Sequence, residues 1–274
     1  MNNESVNVDE ESGIVYKKWQ CCSPKAVFLL VHGLGAYSGR WDQAAQFFLK
    51  HDISSYAIDL KGFGQAEGVR GHINSFQTYF QDIQTLCEII KKENSDKKVF
   101  LVGESMGGLI AFVLVAFFAC LFDGLICISP AFKSKLKFSR WDYIRIFFFL
   151  IVNSKKQFML PFDAIMCTQD SDCRRAVENN EIEHRLATSR LLFNIFLAQK
   201  RACTVKDEID IPVLFLVAGE DEIVDSKVAE DVFGRFVSKD KRIISYSGMR
   251  HALTIEIERQ KVFEDILRWI KERV

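Results

Sequence analysis

One stretch constrains this chain more than any other, and it runs from Lys98 to Phe118. Val99-Phe100-Leu101-Val102 leads into Gly103-Glu104-Ser105-Met106-Gly107-Gly108, and an unbroken apolar run continues from Leu109 to Phe118. Four apolar residues, two of them valine, predict a short buried strand. The apolar run after Gly108 is long enough for a helix packed inside the protein. Gly-x-Ser-x-Gly between them is the pattern of a sharp strand-to-helix turn that holds its serine in a strained backbone conformation. A side chain at position 103 or 107 would collide with the neighbouring strand or helix, so both are glycine. Ser105 is thereby pushed out to where a base and a substrate can reach it. The alternative is a glycine-rich turn with an incidental serine. Partners for Ser105 further along the chain argue against it.

Around this turn, apolar runs alternate with amphipathic stretches. Residues 1–13 are polar and predict a loose segment, and 14–19 an early edge strand. Ala26 to Val31 is a continuous apolar run, as in a strand buried on both faces. Strands are also predicted over 53–58, 124–130, 211–218 and 242–246. Helices are predicted over 41–51, 76–92, 225–236 and 258–273, with Asp225 as the N-cap of the third. Strands alternating with helices imply a mostly parallel central sheet with helices on both faces, an α/β class. The rhythm breaks at Pro130. For about seventy residues only helix-like stretches occur, at 141–152, 171–180 and 186–202. The predicted organisation is therefore a first core part over residues 1–130, an inserted helical cap or lid over 131–200, and a second core part over 201–274.

A serine hydroxyl is a weak nucleophile at neutral pH. It needs a base, and usually a carboxylate to orient that base. Ligands of open α/β sheets collect at the carboxyl ends of strands, so the partners should lie just after later strands. Asp221 sits three residues past the run ending at Ala218, and His251 follows the strand ending at Tyr246. Glu220 and Asp225 are minor rivals for the acid. His32 is a rival for the base, but it precedes a glycine turn and is better placed to brace that loop. The oxyanion of an acyl-transfer intermediate needs fixed donors. The N–H of Met106, just after Ser105, and the N–H of Leu34, just after His32-Gly33, are the candidates.

Composition excludes several other roles. Lys plus Arg and Asp plus Glu both number 36, which gives no electrostatic reason to expect a nucleic-acid partner. No HExxH or clustered ligand spacing points to a metal, and no cofactor motif is found. Eight cysteines without a CxxC pair read as reduced thiols, Cys120 and Cys127 as small core residues. The polar, acidic start lacks the features of a signal peptide, and the longest apolar run, Leu109 to Phe122, is too short for a comfortable membrane span. A cytoplasmic location, at most peripheral to a membrane, is the expectation. The sequence leaves the oligomeric state open.

Several stretches together resemble one family. They are His32-Gly33-Leu34-Gly35, Ser38-Gly39-Arg40-Trp41, Asp59-Leu60-Lys61-Gly62-Phe63-Gly64, Gly103-Glu104-Ser105-Met106-Gly107-Gly108, and Gly219-Glu220-Asp221 with its continuation to Lys227. With the His251 region they resemble the monoacylglycerol lipase and lysophospholipase group of α/β-hydrolases. The chain order Ser105, Asp221, His251 is that of the α/β-hydrolase fold. The resemblance implies Ser105 as nucleophile, Asp221 as acid, His251 as base, and Leu34 and Met106 as oxyanion donors. Arg40 is a candidate substrate contact. Where relatives often carry His and Ser, this chain has Phe63 and Ala66. Some relatives have an acidic residue at the position of Ala36, near the glycerol end of the pocket.

The implied substrate is a lipid ester with a single acyl chain, a monoacylglycerol or lysophospholipid. The stretch from Trp141 to Val152 carries only Asp142 and Arg145 as charges. It either packs on the core or the rest of the cap, or it lines an acyl tunnel or makes transient contact with a membrane or micelle surface. In the tunnel reading, Phe147, Phe148 and Ile151, beside Phe149, wall an acyl chain. A broad carboxylesterase or thioesterase, a serine aminopeptidase on the same residues, and a catalytically silent binding protein are the alternatives.

Overall fold

The computed structural model describes residues 4–205 and 209–274. The polar N-terminal stretch is not loose where it is described. Strand β1 (Glu4–Val8) pairs antiparallel with β2 (Val15–Trp19), and a turn stabilised by the Asp9 carboxylate joins them. The expected looseness of residues 1–3 falls outside the described residues. β1 shows most of its surface to solvent, which explains why its sequence carries no buried-strand signal. β2 is consequently the second strand of the sheet and not its edge.

The rest of the sheet follows the predicted alternation. β3 (Ala26–Val31) is buried along its whole length. A 3₁₀ turn at Ser38–Trp41 leads into α1 (Asp42–Leu49), β4 (Ile53–Asp59) and α2 (Phe76–Glu93). Next come β5 (Lys98–Glu104), α3 (Met106–Phe118) and β6 (Gly124–Ile128). In α3 every residue from Met106 to Ala116 is buried. That burial matches a helix apolar on all sides. Cys120, in the 3₁₀ turn after α3, is exposed and not a core residue, whereas Cys127 in β6 is buried. All eight cysteines are free thiols.

Residues 131–200 add no strand to the main sheet. They form α4 (Arg140–Val152), β7 (Gln157–Met159), α5 (Ala164–Cys167), α6 (Ser171–Glu178), β8 (Leu186–Thr188) and most of α7 (Ser189–Ala202). The small antiparallel β7–β8 pair departs from the expectation of helices alone. The expected helix over 186–202 begins only at Ser189, because Thr188 caps it. The Thr188 hydroxyl accepts a hydrogen bond from the N–H of Leu191. The chain returns to the sheet with β9 (Val213–Ala218), α8 (Ser226–Arg235), β10 (Lys241–Tyr246) and α9 (Arg259–Lys271). Asp225 holds the N-cap position of α8, but its side chain makes no capping bond and pairs instead with Lys133 at 3.2 Å.

The eight strands lie in the order β1-β2-β4-β3-β5-β6-β9-β10. β2 alone runs against the others. α1 and α9 cover one face around Trp41, Phe48, Phe263 and Trp269. α2, α3 and α8 cover the other around Tyr79, Phe112 and Val232. β5 lies inside the sheet, between β3 and β6, so its carboxyl end is enclosed by well-packed structure on both sides.

Candidate active site

Ser105 occupies the bend between β5 and α3 with φ of 57°, in the left-handed region that a non-glycine residue rarely adopts. Close approach explains the flanking glycines. A Cβ on Gly103 would lie 2.3 Å from the Gly107 carbonyl oxygen, and one on Gly107 would lie 2.1 Å from that of Val31. Backbone bonds hold the strained residue. The Ser105 N–H donates to the Ile128 carbonyl at 2.8 Å, and its own carbonyl accepts from the N–H groups of Leu109 and Ala131, both at 3.0 Å.

Two loops at the carboxyl ends of later strands meet this serine. His251, beyond β10, places Nε2 at 2.8 Å from the Ser105 hydroxyl and Nδ1 at 2.7 Å from Asp221 Oδ2. The other Asp221 oxygen accepts from the N–H groups of Ile223 and Val224 at 2.8 Å each. A carboxylate can only accept, so the Nδ1–H of the ring donates to Asp221. That leaves Nε2 free to take the proton of the Ser105 hydroxyl. Asp221 and His251 are both buried. Burial pushes the Asp221 carboxyl up, but the facing imidazole and the two amides outweigh it and hold the group below its ordinary value. The rivals are placed elsewhere: Glu220 is exposed, and Asp225 pairs with Lys133. His32 braces its loop, with Nε2 accepting from the Leu60 N–H at 3.1 Å and Nδ1 donating to the Gly33 carbonyl at 2.8 Å.

Ser105 and His251 open onto a cavity of about 660 Å³ that Leu34 and Met106 also line. Its walls are mainly apolar, with Leu136, Met159, Phe162, Val177 and Ile195 contributed by or near residues 131–200. Its polar lining includes Glu104, His184 and Arg40, whose guanidinium is held by both oxygens of Glu183. Arg40 lines the cavity, with its donors directed at a carboxylate of this chain. Phe63 fills the space beneath, stacked on His184 at 5.1 Å and edge-on to His32 at 5.8 Å.

Phe147, Phe148 and Ile151 do not wall this cavity. They are 67%, 55% and 73% exposed on the outer face of α4, and no residue of that helix lines the cavity. A helix apolar around most of its circumference carries no periodicity to say which side turns inward. Glu104, Glu183, His184 and Thr254 also belong to the site's surroundings and were not among the expected residues. Glu104 alone had a local signal, its place inside Gly-x-Ser-x-Gly. Among the described residues, no group of His, Cys, Asp or Glu could hold a metal ion.

A strained serine at the end of a central parallel strand, facing a histidine and an aspartate that follow it in the order Asp then His, defines the α/β-hydrolase class. Solved structures agree on the fold. A monoacylglycerol lipase from Paleococcus ferrophilus superposes with a TM-score of 0.86 at 23% identity, covering 95% of this chain and 99% of that one. A soluble variant of the monoglyceride lipase of Saccharomyces cerevisiae, bound to a substrate analogue, gives 0.85 at 18% identity, covering 100% and 96%. The family model of serine aminopeptidases (S33) matches residues 22–258, and the chain belongs to that family. Its curated relatives include the monoglyceride lipase of Rattus norvegicus, 28% identical over 265 residues, covering 92% of this chain and 84% of the relative. The phospholipase YtpA of Bacillus subtilis is 26% identical over 248 residues, covering 90% and 95%.

Proposed function

We propose that this protein is a serine ester hydrolase that cleaves lipid esters with a single acyl chain, a monoacylglycerol or a lysophospholipid, through an acyl-enzyme on Ser105. The observation that carries this reading is the continuous hydrogen-bonded line from Asp221 through His251 to Ser105 at the floor of a mainly apolar cavity. The relatives named as monoglyceride lipases and a phospholipase support the substrate class. Residues 131–200 act as the cap that supplies the apolar wall.

In this mechanism Ser105 Oγ attacks the ester carbonyl carbon as its proton passes to His251 Nε2. The Asp221 carboxylate stabilises the imidazolium and fixes the ring's tautomer. The carbonyl oxygen becomes an oxyanion and accepts from the N–H groups of Leu34 and Met106, each donor contributing roughly 3 kcal/mol to the transition state. The intermediate collapses and the C–O bond to the leaving alcohol breaks. That alcohol leaves with the proton from His251. Water then attacks the acyl-enzyme with His251 as base, releasing the fatty acid and restoring the serine hydroxyl. Burial of the chain is worth roughly 0.8 kcal/mol per CH₂, so the cavity can select acyl esters without a charged anchor.

The same reading extends to the outer face of α4. Trp141, Ile144, Phe147, Phe148 and Ile151 form an exposed apolar stripe beside Arg140 and Arg145, fitted for transient contact with a lipid or micelle surface. No described helix is long and apolar enough to cross a membrane. A cytoplasmic location with peripheral contact fits the eight free thiols. The family's description keeps one second reading, an aminopeptidase on the same residues.

The test is a panel of monoacylglycerols, lysophospholipids, short esters and aminoacyl amides, assayed with purified protein and with Ser105→Ala. Turnover of the single-chain lipid esters and its loss in the folded variant are expected. Activity confined to aminoacyl amides would favour the peptidase. Undiminished turnover by Ser105→Ala would refute both.

A further inference from the structure

Glu104 precedes the proposed nucleophile, lines the same cavity and is 5% exposed. The mechanism above does not use it. Its carboxylate accepts from a single residue, Thr254. The Thr254 N–H donates to Oε1 at 3.2 Å, and the hydroxyl lies 3.0 Å from Oε1 and 3.1 Å from Oε2. Among the described residues Glu104 makes no other hydrogen bond and no ion pair, since the nearby Arg40 guanidinium is taken by Glu183. Thr254 belongs to the 3₁₀ turn Leu253–Ile255, which begins two residues after His251 and has no side-chain cap of its own.

Leu253 of this turn packs in the core beside the sheet, but the turn's other hydrogen bonds to distant segments lead away from it. The Ala252 N–H donates to the Cys167 carbonyl at 2.8 Å, and the Ile255 carbonyl accepts from the Thr168 hydroxyl at 2.9 Å. Both partners lie in the segment over 131–200. Among the described residues, Glu104 is thus the side chain that hydrogen-bonds the turn to the strand carrying Ser105. Burial pushes the Glu104 carboxyl above its ordinary value, against the pull of Arg40 and His251. A buried acid is costly to keep where an apolar residue would pack.

We propose that Glu104 is a positioning residue: by accepting from Thr254 it holds the turn that carries His251 at a fixed separation from Ser105. The nucleophile and its base are then referenced to one strand end. The proposal rests on the catalytic reading of Ser105, His251 and Asp221.

Three variants test it: Glu104→Gln, Thr254→Val and Glu104→Ala. Each is assayed for kcat and KM on p-nitrophenyl butyrate, for the rate of fluorophosphonate labelling at Ser105, and for thermal melting. A misplacement of 1 Å can cost about 10²-fold in rate. Glu104→Ala should lose kcat on that order, and Thr254→Val, which keeps the amide bond, about tenfold, with KM unchanged and labelling slowed in proportion. Glu104→Gln retains an acceptor oxygen and should stay within about threefold of wild type. Wild-type kcat in folded Thr254→Val and Glu104→Ala would overturn the proposal. So would a Glu104→Gln as defective as Glu104→Ala. If wild-type protein neither turns over the ester nor labels at Ser105, the catalytic reading falls and takes this one with it. Retained wild-type activity with unaffected variants sinks only the role of Glu104.

Discussion

The exposed stripe of α4 gives a prediction whose size follows from the structure. No residue of this helix is buried, and Phe147 and Ile151, one turn apart, are 67% and 73% exposed. An aromatic side chain presents roughly 200 Å² of surface. Full immersion of the exposed part of Phe147 would therefore withdraw about 130 Å² from water, worth about 3 kcal/mol at ~25 cal/mol per Å². A helix lying in the interface reaches only part of that depth. Half the value is about 1.5 kcal/mol, or roughly tenfold in partitioning for each residue. The double variant Phe147→Ser, Ile151→Ser should then bind phosphatidylcholine vesicles about a hundredfold more weakly. Co-sedimentation measures the binding. Hydrolysis of soluble p-nitrophenyl butyrate in the same preparation should be unchanged, because neither side chain lines the cavity. Turnover of a monoacylglycerol embedded in the vesicles should fall with the binding. Unaltered vesicle binding would refute the docking role of this face. An equal fall on the soluble ester would show instead that α4 shapes the cavity.

Three further outcomes follow from the enclosed charges. Asp221→Asn should lower kcat by about 10⁴-fold, through loss of the correct tautomer, without loss of fold. The folded carboxyl titrates below its unfolded value of ~3.9, so it contributes stability above that pH and loses the contribution as pH falls through the folded value. The difference in urea midpoint between wild type and Asp221→Asn should accordingly shrink below about pH 4, and a constant gap would contradict the assignment. Glu183→Ala strands the largely enclosed Arg40 guanidinium, which should cost about 3 kcal/mol of unfolding free energy. An unmoved denaturation midpoint would show that water or another group replaces Glu183.

Much of the core was legible in the sequence because its strands are buried on both faces. Ala26 to Val31 and Val213 to Ala218 admit no polar residue, and such runs are hard to read otherwise. The bend at Ser105 was legible for a different reason: its two glycines answer contacts near 2 Å, which no other residue tolerates. β1 was missed because an open edge strand needs no apolar face, and β7 and β8 because three residues cannot show a period. The inward side of α4 was misjudged, since its apolar residues nearly surround it. Arg40 with Glu183, and Glu104 with Thr254, join segments 143 and 150 residues apart. Nothing local in either segment announces its partner.

The attachment of α4 has a consequence for which part of residues 131–200 moves most easily. Two groups of ties stand out among those that moor the segment around it. Thr168, Gln169 and Asp170 bond to Ile255, Glu256 and Arg259, while Asn180, Glu183 and His184 bond to Tyr37, Arg40, Gly35 and Gly62. α4 sits outside both moorings and leans mainly on α7. An element with so little interior contact is the one that departs at least energetic cost. α4 can therefore shift as a unit while the residues that line the cavity stay tethered.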